Sequence, residues 1–422
     1  MDILALNCGS SSVKYQLFDW EKKQLLARGA VERVAVSDSF IVHEVPGREP
    51  VRKNHDCPDH CAAISLVLDT LAQESFNKGG KGVIPVDAVG HRVVAGGEHF
   101  TQSMLITDEV LQGIRDVQHL APLHNPHHVS GIEAIRTLLP NVPQVAVFDT
   151  AFHQTMPEYA YIYSLPYEWY RRYGVRRYGA HGSSHLYVSK RAAVLLKKAP
   201  RDCNLITLHI GNGSSFCAVR NGESVDTSMG MTPLEGAMMG TRCGDIDPAI
   251  PGFMMEREGY TAKEMDAILN KKSGVLGVTG RFSDRRDVLS HAERGNRRCL
   301  LALELEAYRI RKYIGSYTAV LGRVDALVFT AGVGEMGWKI REMALENLDC
   351  LGIKMDIEKN RAAVSRSRES DISAADSKVR IFIIPTNEEL VLIEDVMGIL
   401  NGTYKSHMEF DYSFTHEDFK VG

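Results

Sequence analysis

The feature that most constrains this chain is a short pattern that occurs twice. Asp2 to Asn7 is an apolar run, Cys8-Gly9-Ser10-Ser11-Ser12 is small and polar, and Val13 to Phe18 returns to alternation. That order reads as a β-hairpin. A turn of glycine and serine lets backbone N–H groups and hydroxyls converge on one point, which suits a phosphate. Lys14 lies just beyond it and adds positive charge. An ordinary tight turn would use the same residue types, but the second copy favours the phosphate reading. A fixed offset of 202 residues carries Leu4 onto Ile206, Leu6 onto Leu208, Gly9 onto Gly211 and Ser12 onto Ser214. Repetition of this kind predicts two related domains, each offering a phosphate loop to one nucleotide held between them.

The bulk properties narrow the class. A length of 422 residues suits two or three domains, and a net charge of −4 argues against nucleic-acid binding. Apolar runs are all too short to cross a membrane, and the polar turn at residue 7 comes too early for a signal-peptide core, so a cytoplasmic protein is expected. The eight cysteines are scattered, and reduced thiols are expected. His55, Cys57, His60 and Cys61 match no standard zinc spacing.

Along the chain, residues 25 to 53 read as one or two further antiparallel strands, residues 60 to 75 as a helix, and Gly79-Gly80-Lys81-Gly82 as a flexible tip. A strand at 86 to 94 delivers His91-Arg92 before a glycine pair, and prolines flank His124 between two helices. The strand Gln144 to Phe148 ends in Asp149, where ligands of α/β sheets bind. Residues 159 to 178 show no period, His181 sits on a bend before a helix, and His185 reads as a satisfied core residue. Glycines crowd Arg242, which implies backbone packed close to a ligand. Residues 261 to 271 and 297 to 322 are helical in pattern, with a charged, glycine-rich loop at 273 to 287 between them. A strand at 325 to 330 then runs into Gly332-Val333-Gly334-Glu335-Met336-Gly337. This matches G-x-G-x-x-G, yet no repeated mononucleotide half surrounds it, so it reads as a helix start meeting a nucleotide rather than an NAD site. A last strand ends at Pro385, and Thr386 with Glu389 fits a capping box. Glu388, without a capping duty, is left for a metal shell.

Seven groups thus stand at loops and strand ends: Asn7, Arg92, His124, Asp149, His181, Arg242 and Glu388. They comprise cationic donors and two carboxylates that can hold Mg²⁺, with no obvious nucleophile. Phosphoryl transfer needs such a set, because its protein mainly positions and neutralises charge. A G-x-S-x-G elbow, a Walker A loop and a protein-kinase loop set are all absent.

These residues also carry a family likeness. Leu6 to Lys14, Ala121-Pro122-Leu123-His124-Asn125-Pro126, Phe148 to His153, His209 to Ser215, Gly240-Thr241-Arg242 and Thr386-Asn387-Glu388-Glu389 resemble the acetate kinase family, over residues 3 to about 396. The resemblance implies an α/β fold of the acetate and sugar kinase, chaperone and actin superfamily. That is a two-domain actin-like ATPase, ribonuclease H-like, with duplicated domains and a nucleotide cleft. Residues 1–150, completed by a helix at 387–400, would form the acyl and phosphate side. Residues 151–386 would bind nucleotide, and 401–422 would be a tail. The implied activity is reversible, Mg²⁺-dependent transfer of the ATP γ-phosphate to acetate by in-line displacement, with Mn²⁺ able to substitute and a homodimer as the assembly.

By the same resemblance Arg92 and Arg242 would hold the acyl phosphate or carboxylate, His181 would donate to the transferring phosphoryl, and His124 would line the site. Asp149 and Glu388 would position Mg²⁺, with Asn7 near it. Val94, Leu123 and Pro233 would form the acyl-methyl pocket. Lys14, His209, Gly211, Asn212 and Gly213, with Ala331, Gly332, Val333, Gly334 and Glu335, would meet the ATP phosphates, and Asp284, Arg285 and Arg286 the adenosine. Three alternatives remain: the same chemistry on propionate or butyrate, since one methylene is worth only about 1–3 kcal/mol; a non-enzymatic actin-like nucleotide switch; and an NAD oxidoreductase.

Overall fold

A computed structural model of the chain describes residues 1–77, 86–122 and 124–419; the expected tip at Gly79 to Gly82, and Leu123, lie outside the described residues. The chain divides into two units, Met1–Phe152 with Asn387–Tyr412, and His153–Thr386 with the chain from Ser413.

Unit 1 is built on an eight-stranded sheet. Its strands are β1 (Asp2–Cys8), β2 (Ser12–Asp19), β3 (Gln24–Glu32), β4 (Phe40–Glu44), β5 (Val51–Asn54), β6 (Ala88–Val93), β7 (Met104–Leu105) and β8 (Gln144–Phe148), in the order β5-β4-β3-β2-β1-β6-β8-β7. Unit 2 has β9 (Asn204–Ile210), β10 (Ser214–Arg220), β11 (Glu223–Thr227), β12 (Ala326–Thr330), β13 (Ser370–Asp371) and β14 (Arg380–Ile383), in the order β11-β10-β9-β12-β14-β13. The central five strands of each sheet share one plan. Three are joined antiparallel, and the first of them continues through two parallel neighbours: β1, β6 and β8 in unit 1, β9, β12 and β14 in unit 2. Each trio therefore ends on one edge of its sheet, where α/β proteins bind ligands.

The apolar alternation of β1 explains its central place. Leu4 and Leu6 pack on one face with Ile64 and Val67 of helix His60–Asn77 and Ile135 of helix Asn125–Leu138. Ile3 and Ala5 pack on the other face with Leu392, Ile393 and Val396 of helix Glu388–Leu400. In unit 2, Ile206 and Leu208 of β9 meet Leu303, Ala307 and Ile310 of the long helix Arg297–Leu321.

Local readings differ from the structure in four places. Three strands, rather than one or two, follow the first hairpin, because β5 is wholly exposed and shows no alternation. Residues 158 to 173 contain two short helices, Glu158–Tyr161 and Tyr167–Tyr173, without a buried side chain to betray a period. The stretch at 273 to 287 includes helix Gly274–Thr279 and the start of helix Arg285–Glu293, the latter capped by Asp284. Finally, Asn387 rather than Thr386 caps the last long helix, accepting from the Leu390 N–H at 3.0 Å. Beyond Leu400 the chain packs rather than trails: Tyr412 donates to Asp395 in unit 1, and the Phe414 carbonyl accepts from Arg191 in unit 2. Among the described residues no helix is long and apolar enough to cross a membrane.

Candidate functional site

In unit 1 the ends of β1, β6 and β8 deliver Asn7, Arg92 and Asp149. Arg92 grips Asp149 with two nitrogens, Nε donating to Oδ1 at 3.0 Å and Nη2 to Oδ2 at 2.6 Å. Its Nη2 also lies 3.6 Å from Glu388 Oε2, at the first turn of helix Glu388–Leu400. Asp149 is 1% exposed and the Arg92 side chain 25%, so the fork holds an almost fully desolvated carboxylate from a half-buried guanidinium. Burial alone would lower the Arg92 guanidinium, but Asp149 and Glu388 outweigh it and raise it. Burial likewise pushes the Glu388 carboxyl up to about 7, with Asp149 and Glu389 adding to the rise and Arg92 and Lys14 opposing it. Lys14 is opposite Asn7 in the hairpin register. Two carboxylates thus share one guanidinium and a more distant ammonium. His124 is half-buried as the residue before helix Asn125–Leu138, and Val94 is half-buried just past β6.

In unit 2 the second hairpin makes the tighter turn. Ile210 pairs with Ser214 across residues 211 to 213, whereas Cys8 pairs with Val13 in the first. Gly213 is there for space: a Cβ on it would stand 3.3 Å from Arg242 Nη2 and 3.5 Å from His181 Cε1. Arg242 donates through Nη1 to the Pro233 carbonyl at 2.6 Å, and burial, with no acidic neighbour, lowers its guanidinium. The rings of His181 and His209 stack with centroids 4.0 Å apart. Both His181 (φ 58°) and Ala331 (φ 64°) adopt the left-handed backbone region, which costs a residue with a Cβ about 1 kcal/mol and gathers at working sites.

A cavity of about 660 Å³ opens beside this turn, lined among others by Gly211, Asn212, Asp284, Arg285, Arg286, Gly332 and Val333. Those seven of the expected nucleotide residues are brought together. Lys14, His209, Gly213, Ala331, Gly334 and Glu335 are not in its lining; Glu335 is buried and accepts the Thr386 N–H at 3.3 Å. Arg286 pairs with Asp284, which holds that carboxyl down at about 2.

Other supports escaped the sequence reading. Glu306 pairs with Arg285 at 2.8 Å, both side chains being buried, and its signal was an acid inside the apolar stripe of a helix. Arg341 is fully buried and donates to the carbonyls of Gly334, Glu335, Asn360 and Ala363, pinning the turn after β12. Burial lowers it to about 10. Ser215 is the second residue of β10, which begins at Ser214, and its side chain is completely buried.

Residues 2–394 match the acetokinase family. The chain is 66% identical over 419 residues to an acetate kinase of Geobacter metallireducens, covering 99% of each chain. The crystal structure of Porphyromonas gingivalis acetate kinase is 46% identical with a TM-score of 0.89, over 94% of this chain and 99% of that one. A propionate kinase structure from Francisella tularensis is 40% identical with a TM-score of 0.87, over the same shares of 94% and 99%. With that likeness along almost its whole length, and two sheets of one plan, the chain belongs to the acetokinase family and has its two-domain actin-like ATPase fold.

Proposed function

We infer that this chain transfers the γ-phosphoryl group of ATP to acetate, reversibly, giving acetyl phosphate and ADP. The observation that carries this reading is Arg242, a half-buried guanidinium with no acidic neighbour, held beside His181 and the Gly211–Gly213 turn. A transferring phosphoryl group spreads its charge over three equatorial oxygens, and fixed donors aimed at them are the chief thing a protein can supply.

Acetate is ionised at neutral pH, so the attacking oxygen needs no base. It attacks the γ-phosphorus in line, the new O–P bond forms as the bond to the ADP oxygen breaks, and the electron pair leaves with ADP. Arg92 and Arg242 hold the carboxylate and the phosphoryl, His181 donates to the phosphoryl, and His124 lines the site. Val94, Leu123 and Pro233 are the residues assigned to the methyl group by the family resemblance. ATP lies with its phosphates at the turns after β9 and β12 and its adenosine by Asp284 to Arg286.

Asp149, Glu388 and Asn7 would hold Mg²⁺, or Mn²⁺ in its place. The donors fit, being oxygen atoms of two carboxylates and an amide. Mg²⁺ keeps several of its waters and binds through one or two carboxylates and the substrate's phosphates; among the described residues no cluster of three or more His, Cys, Asp or Glu could hold a metal. When bound, the ion neutralises phosphate charge. A second copy of the chain completes a homodimer, for which Ile250 and Phe253 offer exposed apolar surface. Eight free cysteines suit the reducing cytoplasm.

The test is acyl hydroxamate formation from ATP, Mg²⁺ and hydroxylamine with acetate, propionate or butyrate. Acetate is expected to give the highest kcat/KM. A higher value for propionate would shift the substrate by one methylene, and no hydroxamate from any acid would overturn the reading in favour of a nucleotide switch.

A further inference from the structure

The two stacked histidines of unit 2 are backed by a layer of buried hydroxyls. His181 Nδ1 lies 2.8 Å from Ser215 Oγ, which lies 2.8 Å from His185 Nε2, and His185 Nδ1 lies 2.7 Å from Thr207 Oγ1. His209 Nδ1 lies 2.8 Å from Ser184 Oγ, which accepts the Thr386 hydroxyl at 2.9 Å. Ser184, His185, Thr207 and Ser215 are all completely buried, so each proton in these chains must have a definite owner.

A serine hydroxyl has one hydrogen, and a neutral imidazole has one N–H and one lone pair. The longer chain therefore has two polarities in which the buried Ser215 hydrogen is used within it. In one, Thr207 donates to His185 Nδ1, His185 Nε2–H donates to Ser215, and Ser215 donates to His181 Nδ1; His181 then carries its proton on Nε2. In the other every bond reverses, and the proton of His181 sits on Nδ1. Phosphoryl oxygens offer only lone pairs, so a ring in the second state would meet them with a lone pair of its own. His185 is held neutral, since burial and the neighbouring His153 and His209 push it well below its ordinary value. The shorter chain runs the same way, from Thr386 through Ser184 to His209 Nδ1.

We propose that Ser215 and Ser184 are positioning residues, each donating its hydroxyl hydrogen to the Nδ1 of one stacked ring, so that His181 and His209 both present Nε2–H to the transferring phosphoryl group. The choice of polarity and the last clause rest on the proposed function, whereas the hydrogen-bonded chains themselves stand on the geometry alone. Such backing is how proteins fix the tautomer of a working histidine, and its loss commonly costs about ten- to a hundredfold.

The test is ¹⁵N NMR of the full-length protein labelled at histidine, assigned with His181→Gln and His209→Gln, together with kinetics. In the unsubstituted protein both rings should show a protonated Nε2 and a bare Nδ1. Ser215→Ala should turn His181 into a tautomer mixture while leaving His209 unchanged, and Ser184→Ala should do the reverse. Each should lower kcat about ten- to a hundredfold with KM for acetate and ATP within about twofold. Ser215→Thr, which keeps the hydroxyl, should retain the wild-type tautomer and kcat. A protonated Nδ1 on either ring before any substitution, or tautomers unmoved by loss of the serine, would overturn the proposal, and the unsubstituted spectrum decides it even if a variant misfolds. Correct tautomers in a protein that forms no acetyl phosphate would instead sink the proposed function.

Discussion

The two units carry one arginine each that the motifs make look equivalent, and the structure separates them. Arg92 is spoken for: Asp149 and Glu388 surround it, and it holds an almost fully desolvated carboxylate in place. Arg242 donates to one backbone carbonyl and has no acid nearby. One guanidinium is part of the architecture as well as the site, while the other keeps most of its donors for an anion. The strands behind them differ in the same sense. Ile3 and Ala5 on β1 pack against Leu392 and Val396, whereas Thr207, the counterpart of Ala5 on β9, faces His185. Duplicated topology therefore sets where a site stands, and the face chosen for polar residues sets what each half can do.

Substituting the two arginines is the sharpest way to break this contrast. Arg242→Ala should lower turnover by about a thousandfold or more, as loss of a transition-state arginine does, with the thermal unfolding midpoint almost unmoved; near-normal hydroxamate formation would remove Arg242 from the mechanism. Arg92→Ala should also impair activity, but its distinguishing mark is stability. Leaving Asp149 buried without its partner should cost about 3 kcal/mol in denaturant unfolding, and equal stability of the two alanine variants would erase the distinction.

A gentler probe concerns Glu388 in metal-free protein. Its carboxyl is raised from the ordinary 4.5 to about 7, so between those values the folded state binds more protons than the unfolded one. The contribution is fully present below 4.5 and is lost as pH rises through about 7. Unfolding free energy should fall across that window by at most about 1.4 kcal/mol per pH unit, and Glu388→Gln should flatten the slope; a slope of opposite sign would mean that Arg92 dominates instead.

The smallest effect compares helix starts. Asn387 caps the helix that carries Glu388, while the helix after His181 has no side-chain cap. Asn387→Ala should cost about 1 kcal/mol, whereas removing a cap at the start of the helix after His181 has no counterpart because none is there. An unchanged unfolding midpoint for Asn387→Ala in calorimetry would mean that the cap contributes nothing.

Much of this was legible in the chain itself. The apolar runs at 2 to 7 and 204 to 210, each followed by glycine and serine, announced the paired hairpins, and strand-end logic picked out Arg92 and Asp149. Those signals are local, because strand alternation and turn chemistry depend on neighbours a few residues away. Helix Tyr167–Tyr173 was hidden because an exposed helix needs no apolar stripe. Helix Arg285–Glu293 was hidden behind glycines that serve close packing rather than a loop, such as Gly274, where a Cβ would overlap the Met239 carbonyl.

What the sequence by itself determined was the pair of sheets, the glycine-serine turns and the roster of charged groups at strand ends. Only the tertiary structure decided which guanidinium is compensated, which acid holds Arg285, and which hydroxyl backs each histidine. The reason is that electrostatic and hydrogen-bond energies depend on separation and on exclusion of water, and both are set by segments that lie far apart along the chain.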